Sequence, residues 1–192
     1  MNIVVLTPYL PYPGVPHGGG ADLLAWLRFL SRRHGVRVLS FVDAATEPHA
    51  EALRPLVAEL RLVRPAVTLS QKLVHARAAL RSGQWRTLGR RAESEVLAAL
   101  AGWHAAGQMD TLYCAWTEMG RYLRHAPPGV VRVLDEVDLR WRAEAADALN
   151  APWRWAAVWR RRQAERDYCR AAHVVVTRSA RDAAWVSTAV PG

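Results

Sequence analysis

The chain has 192 residues, 51% of them apolar and 22% charged, which suits one globular domain with a real core and excludes a disordered polypeptide. Its formal net charge of +9 is carried by arginine, with Lys72 the only lysine, a balance that suits nucleic acid, an anionic membrane surface or a phosphorylated ligand without choosing among them. No apolar run reaches the length of a membrane span, and "MNIVVLTPYLPYPG" lacks the basic start and long apolar middle of a signal peptide, so the expected location is the cytoplasm.

In chain order, "NIVVL" (2–6) is an all-apolar run, the pattern of a strand buried on both faces. A Pro- and Gly-rich loop follows, "TPYLPYPGVPHGGG", and then a helix over 21–35 with Leu23, Leu24, Leu27 and Leu30 at helical spacing and a stop at Gly35. "VRVLSFV" (36–42) is the next strand, and apolar strand–helix–strand order predicts a parallel βαβ unit. A helix is expected over 48–60, weakened by Pro55, then a short strand over 61–65 and helices over 69–83 and 87–107. Strands over 110–116 and 130–138 end in aromatic or polar residues. A long helical stretch rich in Trp and Arg (139–172) is interrupted at Pro152, and a strand (173–177) and a short helix (178–186) close the chain. The expected fold is α/β, a doubly wound Rossmann-like sheet of about six parallel strands, in which ligands bind beyond the carboxyl ends of the strands.

The opening loop occupies such a position. Gly18, Gly19 and Gly20 carry no Cβ, and the helix behind them offers unpaired N–H groups, so the sequence suggests either a phosphate seat or simply a sharp turn. The segment lacks the GK[ST] of a P-loop. It also lacks the early glycine of a dinucleotide fingerprint, although Asp43 stands where a ribose-binding acid would, which keeps dinucleotide binding open as an alternative. Cys114 and Cys169 have no CxxC spacing and read as small core residues, and the histidines are scattered, so no metal or other cofactor is expected.

The segment "MNIVVLTPYLPYPGVPHGGGADLLAWLRFLSRRHGVRVLSFV" resembles the opening of nucleotide-sugar-dependent glycosyltransferases of the GT-B fold, of the retaining, glycogen-synthase-like type. "VVRVLDEVDLRWRAEAA" (130–146) is similar to the Asp-x-x-Asp segment of bacterial sugar transferases of this group, and "AHVVVTRSARDAAWV" (172–186) to the strand and helix that close their N-terminal domain. The resemblance implies that residues 1–192 form the single acceptor-side domain, that the C-terminal nucleotide-sugar-binding domain is absent, and that the chain alone is inactive. For the complete enzyme it implies transfer of a hexose-type sugar from a nucleotide diphosphate to an acceptor hydroxyl, on a glycan or lipid-linked acceptor of cell-surface polysaccharide.

By position, Gly18 to Gly20 would meet the donor diphosphate, without a metal. Asp138 would be the catalytic carboxylate, orienting the acceptor hydroxyl or stabilising charge on the sugar ring. Asp135 and Glu136 stand beside it, where relatives have a His and this chain is acidic. Helix capping, or an ion pair of one of them with Arg140, is the plain alternative for these acids. His17, Trp116, Glu118, Asp135 and Arg178 would line the acceptor pocket, with Thr117, Thr177 and Ser179 nearby. For Trp116 core packing is an equal alternative.

The Trp/Arg stretch has three readings: ordinary helix packing with a solvated charged face, contact with the inner membrane face, or stacking on single-stranded nucleic acid, the weakest of the three. A basic module that docks on membrane or nucleic acid without catalysis is the alternative to an enzyme.

Overall fold

The computed structural model describes residues 1–65, 90–136, 139–149 and 152–190. Strand β1 (Asn2–Thr7) is buried along nearly its whole length, as an all-apolar run requires, and leads through a loop into α1 (Gly18–Leu30). Strands β2 (Gly35–Phe41) and β3 (Glu59–Val63) follow, then α2 (Arg90–Ala105), β4 (Thr111–Ala115), β5 (Val131–Glu136), α3 (Arg140–Ala148), α4 (Trp155–Ala171), β6 (Val174–Thr177) and α5 (Ala180–Ala189). All strand pairs are parallel and the order is β3-β2-β1-β4-β5-β6, a Rossmann-like sheet as expected.

Side chains alternate between the two faces of the sheet. On one face Val4, Leu6, Leu39, Leu112, Cys114 and Leu134 pack with residues of α2, α4 and α5. On the other, Ile3, Val5, Val36 and Val38 pack against Leu23, Leu24 and Leu27 of α1. Neither cysteine is disulfide-bonded, and both are buried; burial pushes the Cys114 thiol far up, so it is an inert core residue.

The helix expected over 21–35 with a stop at Gly35 is corrected: α1 ends at Leu30, Ser31 caps it by donating its amide to the Leu27 carbonyl, and Gly35 opens β2. Residues 48–60 do not form an α-helix: Pro48 and Pro55 each open a short 3-10 turn, at Glu47–Ala52 and Arg54–Leu56, and β3 begins two residues earlier than its apolar pattern indicated. The helix expected over 69–83 lies outside the described residues. Between β4 and β5 a 3-10 helix (Thr117–His125) appears that the sequence did not announce. It packs tightly on α4: a Cβ on Gly120 would approach Tyr168 to 2.8 Å, so only glycine fits there.

Candidate functional site

Because β1 sits between β2 and β4, the chain leaves the sheet in opposite directions from β1 and β4, and a crevice opens between their carboxyl ends. Two loops meet there. After β1, Thr7 turns the chain by accepting from the Tyr9 amide and donating its hydroxyl to the Tyr9 carbonyl (2.8 Å). Leu10 and Pro11 are buried, and the Tyr12 ring stacks on His49 at 4.1 Å, so the loop is anchored along its length. After β4 stands Trp116, whose φ of 66° is the only positive value among described non-glycine residues. With ψ of 152° this is backbone that glycine alone adopts readily.

The strained tryptophan belongs to an aromatic corner. Trp116 lies edge-on to Tyr9 (5.7 Å between ring centres) and to His17 (5.9 Å), and Tyr9 and His17 are 5.3 Å apart. His17 is the N-cap of α1, its Nδ1 accepting from the Gly20 amide at 3.0 Å. A Cβ on Gly20 would come within 2.7 Å of the His17 ring and 2.9 Å of Val15, so the chain's own loop requires this glycine. A Cβ on Gly18 would meet nothing within 4 Å, and that residue is open to an incoming group. The glycines thus divide: Gly20 seats the histidine, while Gly18 lies exposed at the helix start.

A second cluster lies at the ends of β5 and β6. Asp135 pairs in register with Ala115 on one side and Val176 on the other, which turns its side chain onto the α1 face. It is 1% exposed. Its Oδ2 accepts from Tyr113 Oη (2.6 Å) and from Arg178 Nη2 (2.9 Å), whereas Oδ1 has no hydrogen-bond partner among the described residues. Burial, and then the Asp135 charge, push the Tyr113 phenol far above its usual range, so it remains a donor to the carboxylate. Arg178 also reaches Asp22 of α1 at 3.5 Å. Together with Ala25, Trp26 and Phe29 these two residues line a cleft of about 380 Å³ between α1 and the end of β6. The buried acid therefore acts through the arginine, which it fixes at the mouth of that cleft. Glu118 is built similarly: Oε1 accepts from Arg140 at 2.8 Å and Oε2 is buried with no partner among the described residues.

Other positions take structural roles. Ser179 caps α5, accepting from the Asp182 amide and donating to its carboxylate (2.7 Å). The same carboxylate receives Arg142 at 2.6 Å. Asp43 accepts from the Thr46 amide (2.9 Å) and hydroxyl (2.8 Å), bonds that hold its carboxyl below the usual range and close a local turn. That use, and the long loop before Gly18, weigh against a dinucleotide site. Thr117 is buried, Thr177 half-buried. Asp138 lies outside the described residues, as does the side chain of Glu136. The sequence reading missed Tyr9, Tyr113 and Asp22. Tyr113 was the legible one, since it faces the same side of the sheet as Asp135 one strand away.

Among the described residues no group of three or more His, Cys, Asp and Glu side chains suits a metal, and no helix is long and apolar enough to cross a membrane. No protein-family model and no curated protein matches the chain.

Proposed function

We propose that this chain is the acceptor-side domain of a nucleotide-sugar-dependent glycosyltransferase, binding the sugar that receives the transferred hexose. The observation that carries the reading is Trp116, held in glycine-like backbone at the switch point with Tyr9 and His17 against it. Strain of this kind persists only where surrounding structure enforces it, and it gathers at binding sites. Aromatic rings suit the apolar faces of a sugar. Glu118, one oxygen bonded by Arg140 and the other buried, serves in this reading to fix Arg140 rather than to meet a hydroxyl itself.

In this reading Arg178, oriented by Asp135 and Asp22, offers its remaining N–H donors to a leaving diphosphate, and Gly18 lets the donor approach the helix start. Asp138 is the proposed catalytic carboxylate, by resemblance and position in sequence. A second Rossmann-like domain would grip most of the donor, and the acceptor is a glycan or lipid-linked sugar.

Saturation-transfer NMR with a panel of hexoses and oligosaccharides tests this. The expected result is saccharide binding that Trp116→Leu weakens about tenfold with an unchanged circular dichroism spectrum. Binding of NAD lost in Asp43→Ala, with no saccharide bound, would replace this reading with the dinucleotide one.

A further inference from the structure

The tryptophans of the basic helical stretch fall into two sets. Trp141 and Trp185 pack on each other with ring centres 5.9 Å apart, and the guanidiniums of Arg142 and Arg162 lie over the Trp141 ring at 5.5 and 5.1 Å. These rings hold helices together. Trp153, Trp155 and Trp159 do the opposite: they are 80%, 46% and 61% exposed, and Leu149 beside them is 72% exposed. Packing does not account for four large apolar side chains gathered at one exposed place.

That place is the end of a helical hairpin. Helix α3 starts beyond the carboxyl end of β5, and its Trp141 amide donates to Glu165 in the middle of α4 (3.2 Å). Arg161, 4% exposed, bonds Glu144 across the two helices at 3.3 Å. Helix α4 then descends to the start of β6, antiparallel to the strands. At 17 residues it is about 25 Å long against about 13 Å for the four residues of β6, so its first turns overhang the sheet. The overhang lies at the carboxyl end, the end that carries the crevice.

On α4 Trp155, Trp159, Arg162 and Arg170 form an exposed stripe, spaced four, three and eight residues apart. Arg166 lies in the same row but is half-buried, its Nε donating to the Ala189 carbonyl at 3.2 Å. No acid falls in it; Asp167 of α4 is exposed about 100° around the helix from Arg166, and Asp147 is exposed on α3. Arg154 adds a charge at the tip. Indole rings suit the level of lipid headgroups, having an apolar body and one N–H donor, and arginine beside them suits lipid phosphate. Stacking on single-stranded nucleic acid calls for rings along a groove that tracks the backbone. Here the rings stand outward from a helix end with an exposed leucine among them, which a bilayer receives and a base does not.

We propose that the tip of the α3–α4 hairpin docks on an anionic phospholipid bilayer, with Leu149, Trp153, Trp155 and Trp159 entering the headgroup layer and Arg154 and Arg162 on lipid phosphates. The proposal does not rest on the transferase reading, because vesicle binding is measured without any sugar. It would bring the crevice end of the sheet toward the membrane.

Flotation of the 192-residue chain with vesicles tests it. The chain should float with vesicles of phosphatidylcholine mixed with phosphatidylglycerol, bind phosphatidylcholine alone far more weakly, and lose binding as salt rises. Trp153→Ser combined with Trp159→Ser should cut the bound fraction about tenfold on the anionic vesicles. Arg154→Gln combined with Arg162→Gln should abolish the preference for anionic lipid. The substituted tryptophans are exposed, and an unchanged thermal melt shows that each variant is folded. No flotation of the wild-type chain, or equal flotation of the tryptophan variant, overturns the proposal. So does binding of a single-stranded oligonucleotide that the same variant abolishes while vesicles are ignored, which would assign the surface to nucleic acid.

Discussion

Strands β1 and β2 are covered on both faces, whereas β5 and β6 are covered on one. In β1, residues Ile3 to Leu6 are at most 6% exposed, while Val131, Val174 and Val176 on the α1 side of β5 and β6 are 43%, 48% and 36% exposed. The covered half keeps its ion pairs at the margin, as Arg64 and Glu47 do beyond β3. The open half buries a carboxylate, Asp135, inside a cluster with Tyr113 and Arg178, and holds Trp116 in strained backbone beside it. Local rules are kept where the sheet only has to be stable and broken where a ligand is proposed to bind, a pattern expected of functional sites.

The largest test of that contrast is Arg178→Ala. The Asp135 side chain is 2% exposed, and removing its guanidinium partner leaves a buried charge with only the Tyr113 hydroxyl. The expected loss is about 3 kcal/mol in urea unfolding. Arg64→Ala removes a pair whose arginine side chain is 71% exposed and should not move the unfolding midpoint measurably. Equal losses at the two sites would erase the distinction between the halves.

How far the sequence foretold each half follows the same line. The strands were legible because buried parallel strands are continuous apolar runs, and "NIVVL" and "VRVLSFV" lie within one residue of β1 and β2. Residues 48–60 have helical apolar spacing yet form no α-helix because Pro55, in the interior, lacks the N–H and clashes with the preceding turn, whereas Pro48 stands at a helix start that tolerates it. The 3-10 helix after β4 was invisible because its fit depends on Gly120 meeting Tyr168, a contact 48 residues away in sequence that only tertiary structure creates. In the site, loop position was enough to mark Trp116, Glu118 and Arg178 as lying just beyond strand ends and His17 as preceding α1. It did not reveal that Asp135 would be buried, since that depends on which face of β5 it takes and on Arg178 folding over it.

Trp116 offers a smaller, sharper test. At φ of 66° a side chain strains the backbone and glycine does not. Trp116→Ala and Trp116→Gly lose the same ring contacts with Tyr9 and His17. They differ only in strain and in the flexibility glycine adds to the unfolded chain. Trp116→Gly should be the more stable variant by about 1 kcal/mol, the reverse of the usual order. If Trp116→Ala proves the more stable, the loop relaxes without its ring, and the strain is not imposed by the open half.

An effect that depends on pH belongs to the covered half, at Glu59 of β3. Burial raises its pKa, but hydrogen bonds from Arg61 Nε and Trp103 Nε1, both 2.6 Å, and the charges of Arg61 and Arg37 outweigh it and hold the carboxyl below its ordinary value of 4.5. The unfolded chain therefore takes up this proton more readily than the folded one. The stability so gained is complete above pH 4.5 and is lost as pH falls through the lower, folded value. Glu59→Gln removes the titration, so the wild-type advantage over it should be constant near neutrality and shrink below pH 4.5. The side chain is 35% exposed, which limits the change to about 1 kcal/mol after solvent screening. An advantage that stays flat down to the acid transition would mean that Trp103, itself 1% exposed, is held by packing alone and that its bond to Glu59 carries no net stability.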